Sequence, residues 1–342
     1  MDLSDVVATA MFTGVVLYAL FAGADFGSGF WDLTAGGARR GGRLRVLIDH
    51  SIGPVWEANH VWLIYILVFL WTAYPTAFAA IMTTLFVPMS LALLGIVLRG
   101  ANFAFRKYSA TMTQARLFGA LFAGASLIAP FFFGTVVGAI ASGRVPAQGY
   151  GDRVGSWVNP TSLLGGTLAV GTSAFLAGVF LTADAARSGD RRLAEFLRPR
   201  TLAVGAVTGA IAIAAIAPIR RDAPTLGDGL LGRALPLIAL SAAAGALTLV
   251  LVLRRRFGWA RVSALVAVAA IVIGWAVAQT PWMLVDEMLI SDAAGARATL
   301  LALLAVVGIA AVTVLPALAY LFWLTQSEAW VPEEPGRSTN ST

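Results

Sequence analysis

Residues 52–74 read IGPVWEANHVWLIYILVFLWTAY, and this stretch decides the fold. It opens with Pro54, which is tolerated in the first turn of a helix, and carries one acid, Glu57, before the uncharged run from Val61 to Tyr74. At ~1.5 Å rise per residue such a run is long enough as a helix to cross a ~30 Å hydrocarbon layer. Working outward, similar apolar runs lie near 6–32, 76–98, 117–141, 162–184, 201–219, 234–253, 262–280 and 298–325, separated by charged or Gly/Pro-rich breaks. With 52–74 these make nine predicted spans in a chain of 342 residues, 58% hydrophobic and 12% charged, with mean hydropathy +0.81. That composition excludes an ordinary soluble domain. The expected fold is all-α and polytopic: two four-helix bundles plus one peripheral helix in a single transmembrane domain, 1–330. Its first half, 1–141, holds the polar motifs and its second half is 162–325. The tail 331–342, VPEEPGRSTNST after Trp330, reads as a disordered cytoplasmic segment.

The net charge of +6 and pI near 10.3 do not mark a nucleic-acid binder, because the basic residues fall in short clusters between apolar runs. Those at 39–45, 99–116, 187–200 and 254–261, with Arg337, make up 18 of the 24 and alternate with sparsely charged loops. By the positive-inside rule these loops are cytoplasmic, the N-terminus is outside and the C-terminus inside. Asp2 and Asp5 stand where a cleavable leader would be basic, so the first span is expected to be retained. The short runs 201–219 and 234–253 are where this topology is most easily broken.

With no cysteine and two histidines, His50 and His60, the chain offers little for thiolate metal sites, iron–sulfur clusters or haem ligation. It has no phosphate-binding loop and no histidines paired for zinc. The informative residues are acids placed in spans, Asp25 and Glu57. Tyr18, Ala22, Asp25 and Gly29 share one helix face, so Asp25 is expected to point into the bundle. Counting residues to the nearest span end puts Asp25 roughly 12 Å deep and Glu57 about 8 Å deep, both on the cytoplasmic side. With His60 one turn above Glu57, the three form a candidate proton path. The residues leave a second reading open, in which Asp25 only braces a helix contact, Glu57 only pairs with an arginine at the membrane edge and His60 only bonds to a neighbouring helix. Trp56, Asn59 and Arg99 are candidate polar or quinone contacts, with Arg99 read first as a topology anchor at a helix end. Gly165, Gly166, Gly171 and Gly178 are read as packing positions. Asp184, Asp286, Glu287 and Asp292 are read as ordinary solvated carboxylates near span ends.

Three motifs carry a resemblance: Ala24-Asp25-Phe26-Gly27-Ser28-Gly29, the stretch Ile52 to Ile64, and Arg99-Gly100 followed by Phe103-Ala104-Phe105-Arg106, with a weaker echo in Ser291-Asp292-Ala293-Ala294. The chain resembles subunit II of cytochrome bd-type quinol oxidases, including the cyanide-insensitive branch. Some members carry aspartate where this sequence has Glu57. The resemblance implies a bacterial plasma-membrane, multi-pass protein that is not catalytic alone and binds no haem directly. Its implied partner is a subunit I bearing the haems, with quinol and oxygen as substrates of the complex. It also implies that Glu57 and Asp25 belong to a cytoplasmic proton path toward the oxygen-reducing haem, so that the complex is electrogenic without pumping. A structural quinone in this subunit and a small single-helix subunit are features of some members, and neither is assigned here. Two rival readings remain, a proton-coupled transporter and a scaffold whose acids only hold a complex together.

Overall fold

The structure, a computed structural model, describes residues 2–52, 56–107 and 111–326. Gly53, Pro54 and Val55 of the motif at 52–64 and the whole tail 331–342 lie outside them, as does the side chain of Trp56. The chain opens with α1 (Leu3–Thr34), the axis of the molecule, which packs against α3, α6, α7 and α11. It starts where Asp2 and Asp5 satisfy each other's backbone donors. Helix α2 (Ala38–Ile52) follows; its polar composition hid it from a search for apolar runs. Arg45 fastens it to α1 through an ion pair with buried Asp32, N to O 2.6 Å.

Helix α3 (Trp56–Ala73) then gives way to α4 (Pro75–Thr84), the two meeting at 117°. This corrects the predicted span at 76–98. Tyr74 leaves helical geometry before Pro75 opens α4, and the crossing helix proper is α5 (Phe86–Lys107), displaced about three turns along the chain. Helix α6 (Met112–Ala141) begins at a Thr111–Gln114 capping box. Helix α7 (Pro160–Arg187) begins at Asn159, whose side chain accepts from Ser162 N at 2.9 Å.

The second half repeats the plan. Helix α8 (Arg191–Asp222), capped by Asp190, turns into a short proline-led helix, α9 (Pro224–Leu231), before α10 (Leu235–Leu253) and α11 (Phe257–Gln279). Thus α7, α8, α9, α10 and α11 follow the order of α1, α3, α4, α5 and α6, with a Pro-led helix at the same place in each half. The expected all-α fold holds apart from a two-stranded antiparallel hairpin, β1 (Trp282–Leu284) and β2 (Met288–Leu289). A single turn, α12 (Ile290–Ala293), leads into the peripheral α13 (Arg297–Gln326), which lies along α1 and α3.

Among the described residues eight helices are long and apolar enough to cross a membrane, and the bent pair α3 and α4 makes a ninth if it forms one span. Small residues let these helices approach. A Cβ on Gly27 would collide with the Ser173 carbonyl of α7, one on Gly29 with Ser126 of α6, and one on Gly134 with the backbone of Gly165. Trp31 of α1 seats on Gly178 and donates its indole N–H to the Ala174 carbonyl at 2.8 Å, which fixes α1 against α7.

Candidate functional site

Asp25 lies nine residues before the end of α1, 6% exposed, on the face that also carries Ala22 and Gly29. Three helices converge on it. From α3, Asn59 donates through Nδ2 to Asp25 Oδ2 at 2.5 Å. From α5, Arg99, 2% exposed, donates through Nη2 to the Asp25 carbonyl at 3.2 Å. Within α1, Ser28 Oγ donates to the same carbonyl at 2.5 Å. The Arg99 guanidinium sits between two aromatic faces, 5.2 Å from the Phe26 centroid and 5.3 Å from that of Phe122 on α6. A carboxylate and a guanidinium are therefore buried together inside the bundle, each close to the charge that offsets the cost of removing the other from water.

This placement corrects the reading of Arg99 as an anchor at a helix end. That reading followed from the predicted span 76–98; with the crossing helix at Phe86–Lys107, Arg99 falls inside it and faces α1. Arg99 therefore drops out of the arginines counted in loops. Glu57 is placed differently from Asp25. It stands exposed in the first turn of α3, and its side chain makes no hydrogen bond or ion pair with another described residue. Along the same stripe of α3 run Val61, Ile64, Val68 and Trp71, 43–65% exposed, so Glu57 heads an apolar face that this chain leaves uncovered. The residue that reaches Asp25 is Asn59, two positions on and on the opposite side of the helix.

His60 packs among aromatics, its ring 6.3 Å from that of Tyr18 and 5.9 Å from that of Phe26. His50 stands exposed near the end of α2. Among the described residues no three His, Cys, Asp or Glu side chains gather as a metal would need. Of the residues considered for a quinone, Asn59 and Arg99 turn inward to Asp25, and the side chain of Trp56, at the start of α3, lies outside the described residues.

Spacing gave no hint of Asp32 with Arg45, nor of a second network at the other end of the bundle. There Arg144 binds Asp222 through two N–H groups at 2.6 and 3.2 Å, and Asp222 also accepts from Thr161 N and Oγ1 at 3.0 and 2.5 Å. Asp184, read as a solvated carboxylate, instead ties α2 and α11 to α7, accepting from Ser51 at 3.2 Å and from Arg261, and also from Arg187 of its own helix at 2.6 Å.

Several known proteins are similar to this chain. The cytochrome bd ubiquinol oxidase subunit 2 of Bacillus subtilis is 29% identical over 167 residues, 48% of each chain. The cytochrome bd-I ubiquinol oxidase subunit 2 of Escherichia coli K12 is 31% identical over 171 residues, 47% of this chain and 44% of that one. The match thus spans about half the length of these curated relatives. In three dimensions, a chain from the bd oxidase of Geobacillus thermodenitrificans superposes with a TM-score of 0.80 over 95% of this chain and 99% of its own, at 23% identity, which establishes the shared fold. The family model for cytochrome bd terminal oxidase subunit II matches residues 3–325, nearly the whole of a multi-pass membrane bundle built around a buried acid, and the chain belongs to that family.

Proposed function

We propose that this chain is the haem-free subunit of a quinol:oxygen oxidoreductase, where it stabilises the haem-bearing subunit I and supplies part of the cytoplasmic proton path through Glu57 and Asp25. The observation that carries the reading is Asp25 itself, whose carboxylate accepts from Asn59 inside the bundle while the buried Arg99 donates to its backbone carbonyl. Such a pair is expensive to bury for bracing alone, where an apolar contact of equal volume serves as well or better.

Glu57 supports the reading from another direction. A carboxylate heading an uncovered apolar stripe on α3 is poorly suited to lipid, and a partner subunit laid along Val61, Ile64, Val68 and Trp71 would cover both. In this reading Glu57 collects protons at the joint between the subunits and Asp25 and His60 carry them inward. Protons taken from the inside to make water, with quinol protons released outside, make the complex electrogenic without a pump. The haems belong to subunit I. This chain's two histidines lie on different helices, one exposed and one packed on Tyr18 and Phe26.

The bend of 117° between α3 and α4 favours a second reading, a proton-coupled transporter, since transporters place substrate at broken helices. The two readings part on purification from the native membrane. Haem bands travelling with a second large subunit support the oxidase. A haem-free chain isolated alone, in amounts matching the membrane content, supports the transporter.

A further inference from the structure

Around Asp25 three buried polar atoms have no hydrogen-bond partner among the described residues: Tyr18 Oη of α1, Asn59 Oδ1 of α3 and Arg99 Nε of α5. Each belongs to a residue already tied to this site. Asn59 and Arg99 both bond to Asp25. Tyr18 lies two turns from Asp25 along α1, its ring against Phe133 at 6.0 Å and against Phe26 at 6.4 Å, the ring on which the Arg99 guanidinium also packs. Buried polar atoms in folded proteins are nearly always satisfied, and leaving one unmet is costly. Three such atoms, on three helices that meet around Asp25, therefore point to a shared ligand. Their chemistry specifies it: Arg99 Nε–H only donates, Asn59 Oδ1 only accepts and the Tyr18 hydroxyl does either. Water meets all three, accepting from Arg99, donating to Asn59 and exchanging with Tyr18.

We propose that Tyr18, Asn59 and Arg99 hold an ordered water beside Asp25, and that this water and the Tyr18 hydroxyl form the step by which a proton leaves Asp25. The inference rests on the proton-path reading and extends it to Tyr18, a residue outside the family motifs quoted above. In the step, the O–H bond of protonated Asp25 breaks as a new one forms to the water oxygen. The water passes one of its own protons to the Tyr18 oxygen, and Tyr18 releases its phenolic proton toward the site where oxygen is reduced. Water and tyrosine end as they began, Asp25 is left as a carboxylate beside Arg99, and no electrons move. Asn59 acts as a positioning residue, since one end of its amide holds Asp25 and the other holds the water.

The test uses the complete oxidase complex. Tyr18→Phe removes one hydroxyl and keeps the ring packing, so haem content and quinol KM are expected to stay unchanged while kcat falls by roughly tenfold and the solvent isotope effect on kcat rises. A density map of the wild-type complex at a resolution that shows solvent should carry a water in hydrogen-bond reach of Tyr18 Oη and Asn59 Oδ1. Unchanged kcat in Tyr18→Phe, with Asp25→Asn still slowed, overturns the inference and leaves the path through Asp25 standing. A map without that water overturns it equally. Unchanged turnover in both variants overturns the path as well.

Discussion

The two halves of the bundle follow one plan and spend it differently. In the first, α1, α3 and α5 enclose Asp25, Asn59 and Arg99; in the second, α7, α8, α10 and α11 meet through small residues and hydroxyls, such as Thr182 Oγ1 and Thr201 Oγ1 at 3.2 Å and Ser241 to the Ala267 carbonyl at 2.8 Å. Their ionic contacts sit at helix ends, as with Asp184 and Arg261 or Arg255 and Glu195 at 2.8 Å. The second half shows that this scaffold is built without charge in its interior. The charge in the first half is thus not demanded by the architecture, and its retention there points to use.

That contrast predicts an ordered series of effects. The largest belongs to Arg99→Met, which strands Asp25 without its cation and should cost about 3–5 kcal/mol, seen as loss of assembled, haem-replete complex. Adding Asp25→Asn removes the stranded charge and should recover part of that loss, and a double variant no better than the single one would show that the two charges are not coupled. Next comes packing. Gly27→Ala drives a Cβ into the Ser173 carbonyl and should lower stability by about 1–3 kcal/mol, whereas Gly209→Ala, with nothing within 4 Å of its Cβ position, should leave the thermal midpoint of the purified complex where it was.

Smaller again is Asp222→Asn, which weakens a half-buried ion pair and the bonds from Thr161; about 1–2 kcal/mol is expected, read from the same thermal midpoint. The smallest effect lies in the loop before α7. Asp152, fully exposed, accepts from Gly155 N at 2.5 Å and Val154 N at 2.8 Å, and these bonds hold its carboxyl below the usual carboxylate range. Because the folded value is depressed, the stabilisation is present above the ordinary carboxylate range and is lost as pH falls through the lowered value. Hydrogen exchange at Val154 and Gly155 should accelerate relative to neighbouring amides on acidification, and Asp152→Asn should remove that dependence.

Much of this was legible in the sequence because a charge inside an apolar run announces itself. Asp25 stood out for that reason, and Gly165, Gly166, Gly171 and Gly178 prove to be close-approach positions as their small size suggested. Arg99 was misplaced because residues 76–85 are as apolar as a span; only Pro75 and Pro88 mark the turn, and hydropathy does not weigh them. Asn59 was visible as a polar residue, but which side of α3 meets α1 depends on packing. Helix α2 and the link from Arg144 to Asp222 were invisible, the first for lack of apolar character and the second because its partners lie 78 residues apart.

The most direct test of the central claim is the oxygen-reduction rate of Asp25→Asn in the assembled complex, at matched haem content, in closed vesicles that report membrane potential. The expected result is that each assembled, haem-replete complex turns over and builds potential more slowly, both by roughly tenfold or more. Turnover at the wild-type rate, with the potential built up equally fast, would contradict a proton route through Asp25.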